Sequence, residues 1–305
     1  MLPHVLDARK RTLLPIRTGY IHALHWLSSD GGMNAEKITQ QSKSNLALAF
    51  VSLGRERRAD ITTFYAFCRL IDDIADSADL STEQKTEGLN GWRHSLVAAN
   101  ASEPALAGAV RALMAKYQLP HAMLEEIVAG VEMDLSISRY ATFEELRVYC
   151  YRVASAVGLV SIEIFGYRNA GCREYAIQLG LALQMTNIIR DVGKDLRSDR
   201  IYLPQDEMAL FSYPETDLRA HIYDERFVAL MEFQAARART FFAAARAALP
   251  TEDRRSMVAA EIMGRVYRAL LDRIERDRFR VFAKEYRLNR VQKASHVIAQ
   301  LLGFR

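Results

Sequence analysis

Seven prolines in 305 residues, at positions 3, 15, 104, 120, 204, 214 and 250, divide this chain into long stretches with almost nothing that would stop a helix. Between them Ala, Leu, Arg, Glu and Met recur at helical spacing, and the period-2 alternation of a half-buried strand is essentially absent. Proline cannot continue a helix past its first turn, so each one marks a start or an end. The pattern predicts helices over about 43–77, 82–100, 104–117, 120–138, 142–166, 171–193, 215–248, 252–285 and 290–302. Several starts carry N-terminal signals: Ser81 before Glu83 and Gln84, Thr142 before Glu144 and Glu145, and Thr251 before Glu252 and Asp253. The expected fold class is all-α, a helical bundle whose ligand sites would be built from side chains on facing helices.

With 50% hydrophobic residues the chain can bury a sizeable core. No Gly/Ser/Pro-rich linker, low-complexity tract or internal repeat interrupts it, so one domain over 1–305 is expected. The net charge of +4, from 41 basic and 37 acidic residues, fits an anionic substrate or membrane surface and gives no sign of nucleic-acid binding. Cys68, Cys150 and Cys172 are too few and too far apart for a disulfide framework or a zinc cluster, which points to reduced thiols in the cytoplasm. No signal-peptide core and no run of about 18 apolar residues is present, so a soluble or peripheral protein is expected. The stretch 288–305 places Val291, Ala294, Val297, Ile298, Leu301 and Leu302 on one helical face, with Arg290, Lys293 and Arg305 elsewhere. That suits peripheral membrane contact, and docking on the protein's own core fits it equally well.

The chemistry concentrates in aspartates. Asp72 and Asp76, within Leu70-Ile71-Asp72-Asp73-Ile74-Ala75-Asp76, and Asp191 and Asp195, within Arg190-Asp191-Val192-Gly193-Lys194-Asp195, are each four apart. On a helix each pair stacks on one face as an anionic ledge, and like charges at that spacing repel. One such pair is an ordinary solvated face. Two, each beside an arginine and set among apolar residues, imply a missing cation. Hard divalent ions suit the site, because Mg²⁺ is held by one or two carboxylates and completes its shell with water and phosphate oxygens. Two facing ledges therefore suggest a metal-clamped diphosphate.

These residues carry a specific resemblance. Ser42-Lys43-Ser44, the run Tyr65 to Asp76, Tyr149-Cys150-Tyr151 with Val153-Ala154 and Val157-Gly158, the run Gln184 to Asp195, and Arg200-Ile201-Tyr202-Leu203-Pro204 together resemble the squalene/phytoene synthase family of head-to-head prenyl transferases. The resemblance covers about residues 40–285 and implies an isoprenoid-synthase-type bundle with a central cavity. It implies a Mg²⁺-dependent enzyme, with Mn²⁺ as substitute, that joins two allylic prenyl diphosphates through their C1 carbons by way of a cyclopropyl diphosphate.

By position in the family's motifs, Asp72, Asp73, Asp76, Asn187, Asp191 and Asp195 would serve the metals. Ser42, Lys43, Arg69, Tyr149, Gln184, Asn187, Arg190, Arg200 and Tyr202 would meet diphosphate, with Arg69 and Tyr149 also counted with the aspartates as catalytic. Asp134 would sit above the cavity. Leu46, Phe50, Leu135, Val153, Ala154, Val157, Gly158, Leu183 and Met185 would line the apolar remainder, with small Ala154 and Gly158 leaving room for isoprenoid tails. Asn45 departs from the aromatic residue many relatives carry there. His22 and His25 share a helix face without the E-x-x-H that a metal role would need.

Farnesyl diphosphate and a thirty-carbon product (squalene, dehydrosqualene, hydroxysqualene or presqualene diphosphate) are expected, with phytoene from geranylgeranyl diphosphate as the alternative. NADPH would be needed only for squalene. A head-to-tail prenyl transferase or a terpene cyclase also fits Asp72-Asp73-Ile74-Ala75-Asp76, but those would carry a second D-D-x-x-D or an Asn/Ser/Glu triad where this chain has Asp191 and Asp195. A non-catalytic isoprenoid-binding helical protein would be expected to have lost one of the aspartates, and all are present.

Overall fold

The computed structural model describes residues 49–289 together with 292, 295 and 300. Its main helices are α1 (Arg55–Asp76), α2 (Thr82–Val97), α3 (Ala107–Tyr117), α4 (His121–Met133), α5 (Phe143–Cys150) and α6 (Ala156–Phe165). They continue with α7 (Gly171–Asp195), α8 (Gln205–Leu210), α9 (Glu215–Arg219), α10 (Glu225–Ala248) and α11 (Val258–Arg276). No strand occurs among the described residues; the one β-bridge joins Arg139 to Ile201.

Side-chain caps account for some helix starts. Ser81 accepts from the amide of Gln84 while the Gln84 side chain accepts from the Ser81 amide at 2.9 Å, a complete capping box, and Thr142 caps α5 through the amide of Glu145. Thr251 does not cap a helix. It opens a short 3-10 turn, and Asp253 is occupied by the amides of Arg168 and Asn169 at 2.9 and 2.8 Å, which ties the α6–α7 connection. The span expected over 215–248 is two helices, because His221 takes a left-handed backbone (φ 53°) and Asp224 caps a fresh start at α10. Short α8, after Pro204, was not expected.

Helix α7 is the central element. It packs most extensively against α10 and also touches α6, α11 and the π-helical turn Tyr151–Ser155 that joins α5 to α6. That turn approaches closely: a Cβ on Gly180 would fall 2.6 Å from the Ser155 Cα, and Ser155 Oγ donates to the Ile177 carbonyl at 2.8 Å. Helix α1 leans on α2, α3, α4 and α6 through Ile61, Phe64, Phe67 and Ile71, and Phe67 meets Trp92 edge-on at 5.1 Å. Each such large apolar side chain contributes about 1.5–3 kcal/mol on burial.

By length and composition Phe143–Phe165 could cross a membrane, contrary to the expectation of no such run. Half of that stretch is already buried in the fold, and it carries Tyr149 and Ser155 in inward contacts, which marks it as a core helix. The three cysteines are free. Most of the amphipathic stretch 288–305 lies outside the described residues, as do Ser42, Lys43, Asn45, Leu46, His22 and His25.

Candidate active site

The ledges form the C-terminal ends of α1 and α7. Helix C-termini carry the negative end of the backbone dipole, so carboxylates there are disfavoured twice over, by one another and by the helix. Three arginines answer part of that charge. Arg69 donates to Asp73 one turn along α1, Arg190 grips Asp191 with both arms (Nε at 2.8 Å on Oδ1), and Arg200, from the loop beyond α7, reaches Asp76 at 3.1 Å.

Asp72 and Asp195 have no such partner among the described residues. Both carboxyls are pushed up to about 7. Burial is the main cause for each; Arg69 opposes it at Asp72 while Asp76, Asp73 and Asp134 add to it, and Asp191 adds to it at Asp195. Asp72 is nonetheless open to solvent, so the protein mass around it walls a concave recess and does not bury it in solid core.

A second layer gathers around Asp134, at the end of α4. Tyr202 donates to its Oδ1 at 2.7 Å, Tyr149 to its Oδ2 at 3.1 Å, and Arg200 Nη2 lies 3.4 Å from its backbone carbonyl. The rings of Tyr149 and Tyr202 stack at 5.1 Å, and Tyr140 packs on both at 5.7 and 6.0 Å. Burial raises the Asp134 carboxyl, against the pull of Tyr202, Arg200 and Tyr149. Local backbone bonds assemble this layer: the amide of Ile201 donates to the Ser138 carbonyl at 2.9 Å and that of Gln205 to Tyr140, so the loop after α7 lies along the loop after α4. Arg200 thereby joins the two ledges, bonding Asp76 of α1 and sharing a recess with Asp195, Ile188 and Val192 of α7.

The expected site residues thus fall into three groups. The five aspartates, Arg69, Arg190 and Arg200 are gathered at the C-terminal ends of α1 and α7, linked across them by Arg200. Tyr149 and Tyr202 are present, but their hydroxyls are spent on Asp134 and do not stand free for a diphosphate. Gln184 accepts from Asn187 Nδ2 at 3.2 Å, and Asn187 Oδ1 is buried without a hydrogen-bond partner among the described residues. Sequence reasoning missed Tyr267 of α11, whose hydroxyl meets the side chains of Arg190 and Asn187, and Tyr140.

Of the expected apolar liners, Leu135, Val153, Ala154, Val157 and Leu183 are only half-buried although they sit mid-bundle, as side chains facing open internal space would be. Phe50 and Met185 are core residues, 4% and 0% exposed. Gly158 does not make room for a tail: a Cβ there would lie 3.0 Å from the Ala176 carbonyl oxygen, so the glycine serves the approach of α6 to α7.

Among the described residues no three His, Cys, Asp or Glu side chains form a ready-made metal cage. Mg²⁺ held by single carboxylates and completed by phosphate oxygens does not need one. The donor set fits such an ion: all-oxygen ledges, two carboxyls with no ion-pair partner among the described residues, and the orphaned Asn187 Oδ1, which accepts and cannot donate.

Comparison with known proteins agrees with this geometry. The squalene/phytoene synthase family profile matches residues 39–293. A phytoene synthase from Arthrospira platensis is 37% identical over 272 residues, covering 83% of this chain and 87% of that protein. A 15-cis-phytoene synthase from Synechococcus elongatus is 35% identical over 272 residues, covering 84% and 87%. Among solved structures, a dehydrosqualene synthase superposes with a TM-score of 0.77 at 24% identity, over 93% of this chain and 97% of that one. A squalene synthase from Alicyclobacillus acidocaldarius gives 0.70 at 23% identity, over 80% and 93%. Those two likenesses establish the isoprenoid-synthase-type helical fold, while the profile and the sequence relatives establish descent: this chain belongs to the squalene/phytoene synthase family of prenyltransferases, enzymes of head-to-head prenyl condensation.

Proposed function

We propose that this enzyme condenses two geranylgeranyl diphosphates head to head into phytoene, with Mg²⁺ or Mn²⁺ bound between the ledges. The observation that carries the reading is that each ledge leaves one carboxylate, Asp72 or Asp195, without an ion-pair partner among the described residues, beside three arginines placed to change partners. The thirty-carbon product favoured by the sequence gives way to its alternative because the relatives at 37% and 35% identity are named phytoene synthases.

Arg69, Arg190 and Arg200 are each bonded to an aspartate, which offsets only part of the charge of the five carboxylates. A divalent metal, when bound, supplies charge that stabilises the diphosphate as it leaves. With the aspartates engaged in holding the ion, Arg69, Arg190 and Arg200 would turn their planar forks to phosphate oxygens, which accept two parallel bonds from each. Arg200 spans both ledges and is positioned to hold the leaving group. Tyr149 and Tyr202 keep Asp134 oriented beneath it and so act as positioning residues. The allylic cation left behind needs a dry wall, which Val153, Ala154, Val157 and Leu183 provide. Phytoene formation ends in proton loss and needs no hydride, so NADPH is not part of this reading.

The test is to incubate the purified protein and Mg²⁺ with farnesyl or geranylgeranyl diphosphate, each with and without NADPH, and to analyse the organic extract by mass. A forty-carbon triene from geranylgeranyl diphosphate, independent of NADPH, is the expected result. A thirty-carbon hydrocarbon from farnesyl diphosphate alone would overturn the substrate assignment, and no hydrocarbon from either would overturn catalysis.

A further inference from the structure

A cavity of about 700 Å³ lies apart from the aspartate cleft. It lies between α10 and α11 and shares no lining residue with the ledges. Five arginines line it: Arg239, Arg246, Arg254, Arg265 and Arg268. The acidic residues lining it are Glu261 and Asp272. Asp272 is already bound by Arg239, which also holds Glu275, and Glu261 accepts from the Tyr175 hydroxyl at 2.9 Å. Arg265 donates to Gln300.

Arg246, Arg254 and Arg268 have no ion-pair partner among the described residues. Arg268 lies over the Phe242 ring at 5.6 Å, and burial, followed by the nearby Arg265 and Arg246, holds its guanidinium below the ordinary value against the opposing pull of Glu261 and Tyr175. Surface arginines normally find a carboxylate in a chain that has 37 acidic residues, and most others here do. Gathering three without one around a single cavity costs electrostatic repulsion, which an anion would reverse. The cavity falls within the size range of small-molecule sites, and Leu249 and Ala269 add an apolar stretch of wall.

We propose that this cavity is a second anion site, separate from the aspartate cleft, that binds the phosphate group of a phosphate-bearing ligand through Arg246, Arg254 and Arg268. Arg is suited to the role because its fork matches phosphate oxygens in pairs. Two sources offer this chemistry: a free phosphate compound, or the headgroup of an anionic phospholipid on whose surface an apolar hydrocarbon product would be released. The site does not depend on the catalytic reading, since none of its residues touches the ledges.

The test uses the full chain without metal, so that no ion is present to recruit diphosphate to the aspartate ledges. Inorganic diphosphate is titrated calorimetrically, and co-sedimentation is measured with phosphatidylglycerol and with phosphatidylcholine vesicles, for the wild type and for an Arg246→Gln/Arg254→Gln variant. Both positions are exposed, so the fold should survive, and thermal unfolding checks that it does. The expected result is that diphosphate, phosphatidylglycerol or both bind the wild type, that the variant binds about tenfold or more weakly, and that prenyl-diphosphate turnover in solution is unchanged. Diphosphate binding without vesicle binding assigns a free phosphate ligand. Selective binding to phosphatidylglycerol assigns the lipid headgroup. Equal binding by variant and wild type, or no binding of either probe, would overturn the site.

Discussion

The two carboxylate ledges have the same spacing and the same place at a helix end, yet they are wired differently. On α7 the clipped member comes first: Asp191 is held by the adjacent Arg190 of its own helix, and Asp195 at the tip is bare. On α1 the order is reversed, with Asp72 bare and Asp76 at the tip held by Arg200 from across the cleft, while Asp73 takes Arg69 outside the pair. One ledge is thus closed by its own helix, and the other only by a loop that belongs to the far side. The α1 ledge reports on the assembly of the whole cleft, and the α7 ledge does not.

The largest expected effect comes from removing a ledge member. Asp72→Ala and Asp191→Ala should each lower turnover below detection, about 10³-fold or more, with the helical circular dichroism spectrum unchanged. Near-normal turnover in either would break the equivalence of the two ledges. Next comes Arg200→Gln, which removes the side chain that bonds Asp76 of α1 from across the cleft. Its kcat should fall by about 10²-fold, and Arg69→Gln, which loses a contact within one helix, should fall less. Equal losses would mean that bridging the ledges adds nothing.

A smaller effect separates bare from clipped carboxylates in the metal-free protein. The raised carboxyls of Asp72 and Asp195 favour the protonated folded form, so their contribution to stability is present at acid pH and lost as pH rises from about 4 towards about 7. Asp72→Asn and Asp195→Asn should therefore unfold at higher temperature than wild type at pH 8, by about 2 °C, with the difference vanishing near pH 4. Asp191→Asn strips Arg190 of its charged partner, leaving it the Tyr267 hydroxyl, and should unfold at lower temperature. Mg²⁺ should raise the wild-type midpoint and lose that effect in the Asn variants. The smallest effect is expected for Tyr202→Phe, which removes one hydrogen bond to Asp134. It should reduce kcat by about tenfold and leave KM nearly unchanged, whereas a direct diphosphate contact would also raise KM.

What could be read from the sequence was what is local or repeated. The capping signals at Ser81 and Thr142 act within one turn of themselves, and the aspartate spacing is a property of a single helix. Thr251 misled because the helix-start pattern is also what a 3-10 turn looks like when its acid, Asp253, is claimed by amides far away at Arg168 and Asn169. Asp134 was singled out from the sequence, but its part in holding Tyr149 and Tyr202 depends on two loops meeting at the Arg139–Ile201 bridge, which no spacing encodes. Tyr267 stands alone on α11 and becomes part of the site only once α11 packs on α7. The arginine cavity had a partial signal, since Glu261, Arg265, Arg268 and Asp272 follow helical spacing on one face. That stripe looks like an ordinary solvated surface until Arg246 and Arg254 are seen beside it.

The π turn at Tyr151–Ser155 is equivalent to one additional residue inserted in an otherwise continuous helix. It sits between Tyr149, which belongs to the polar end of the cleft, and Val157, which belongs to the apolar wall. Each residue of an α-helix turns the chain by about 100°. Deleting any one residue from this turn would let the helix close into regular α and swing everything beyond it by that angle, carrying Val157 off the wall with no active-site side chain altered. Chain length within this segment therefore sets the phase between the polar end and the apolar wall, and a one-residue deletion here should be costlier than most substitutions in it.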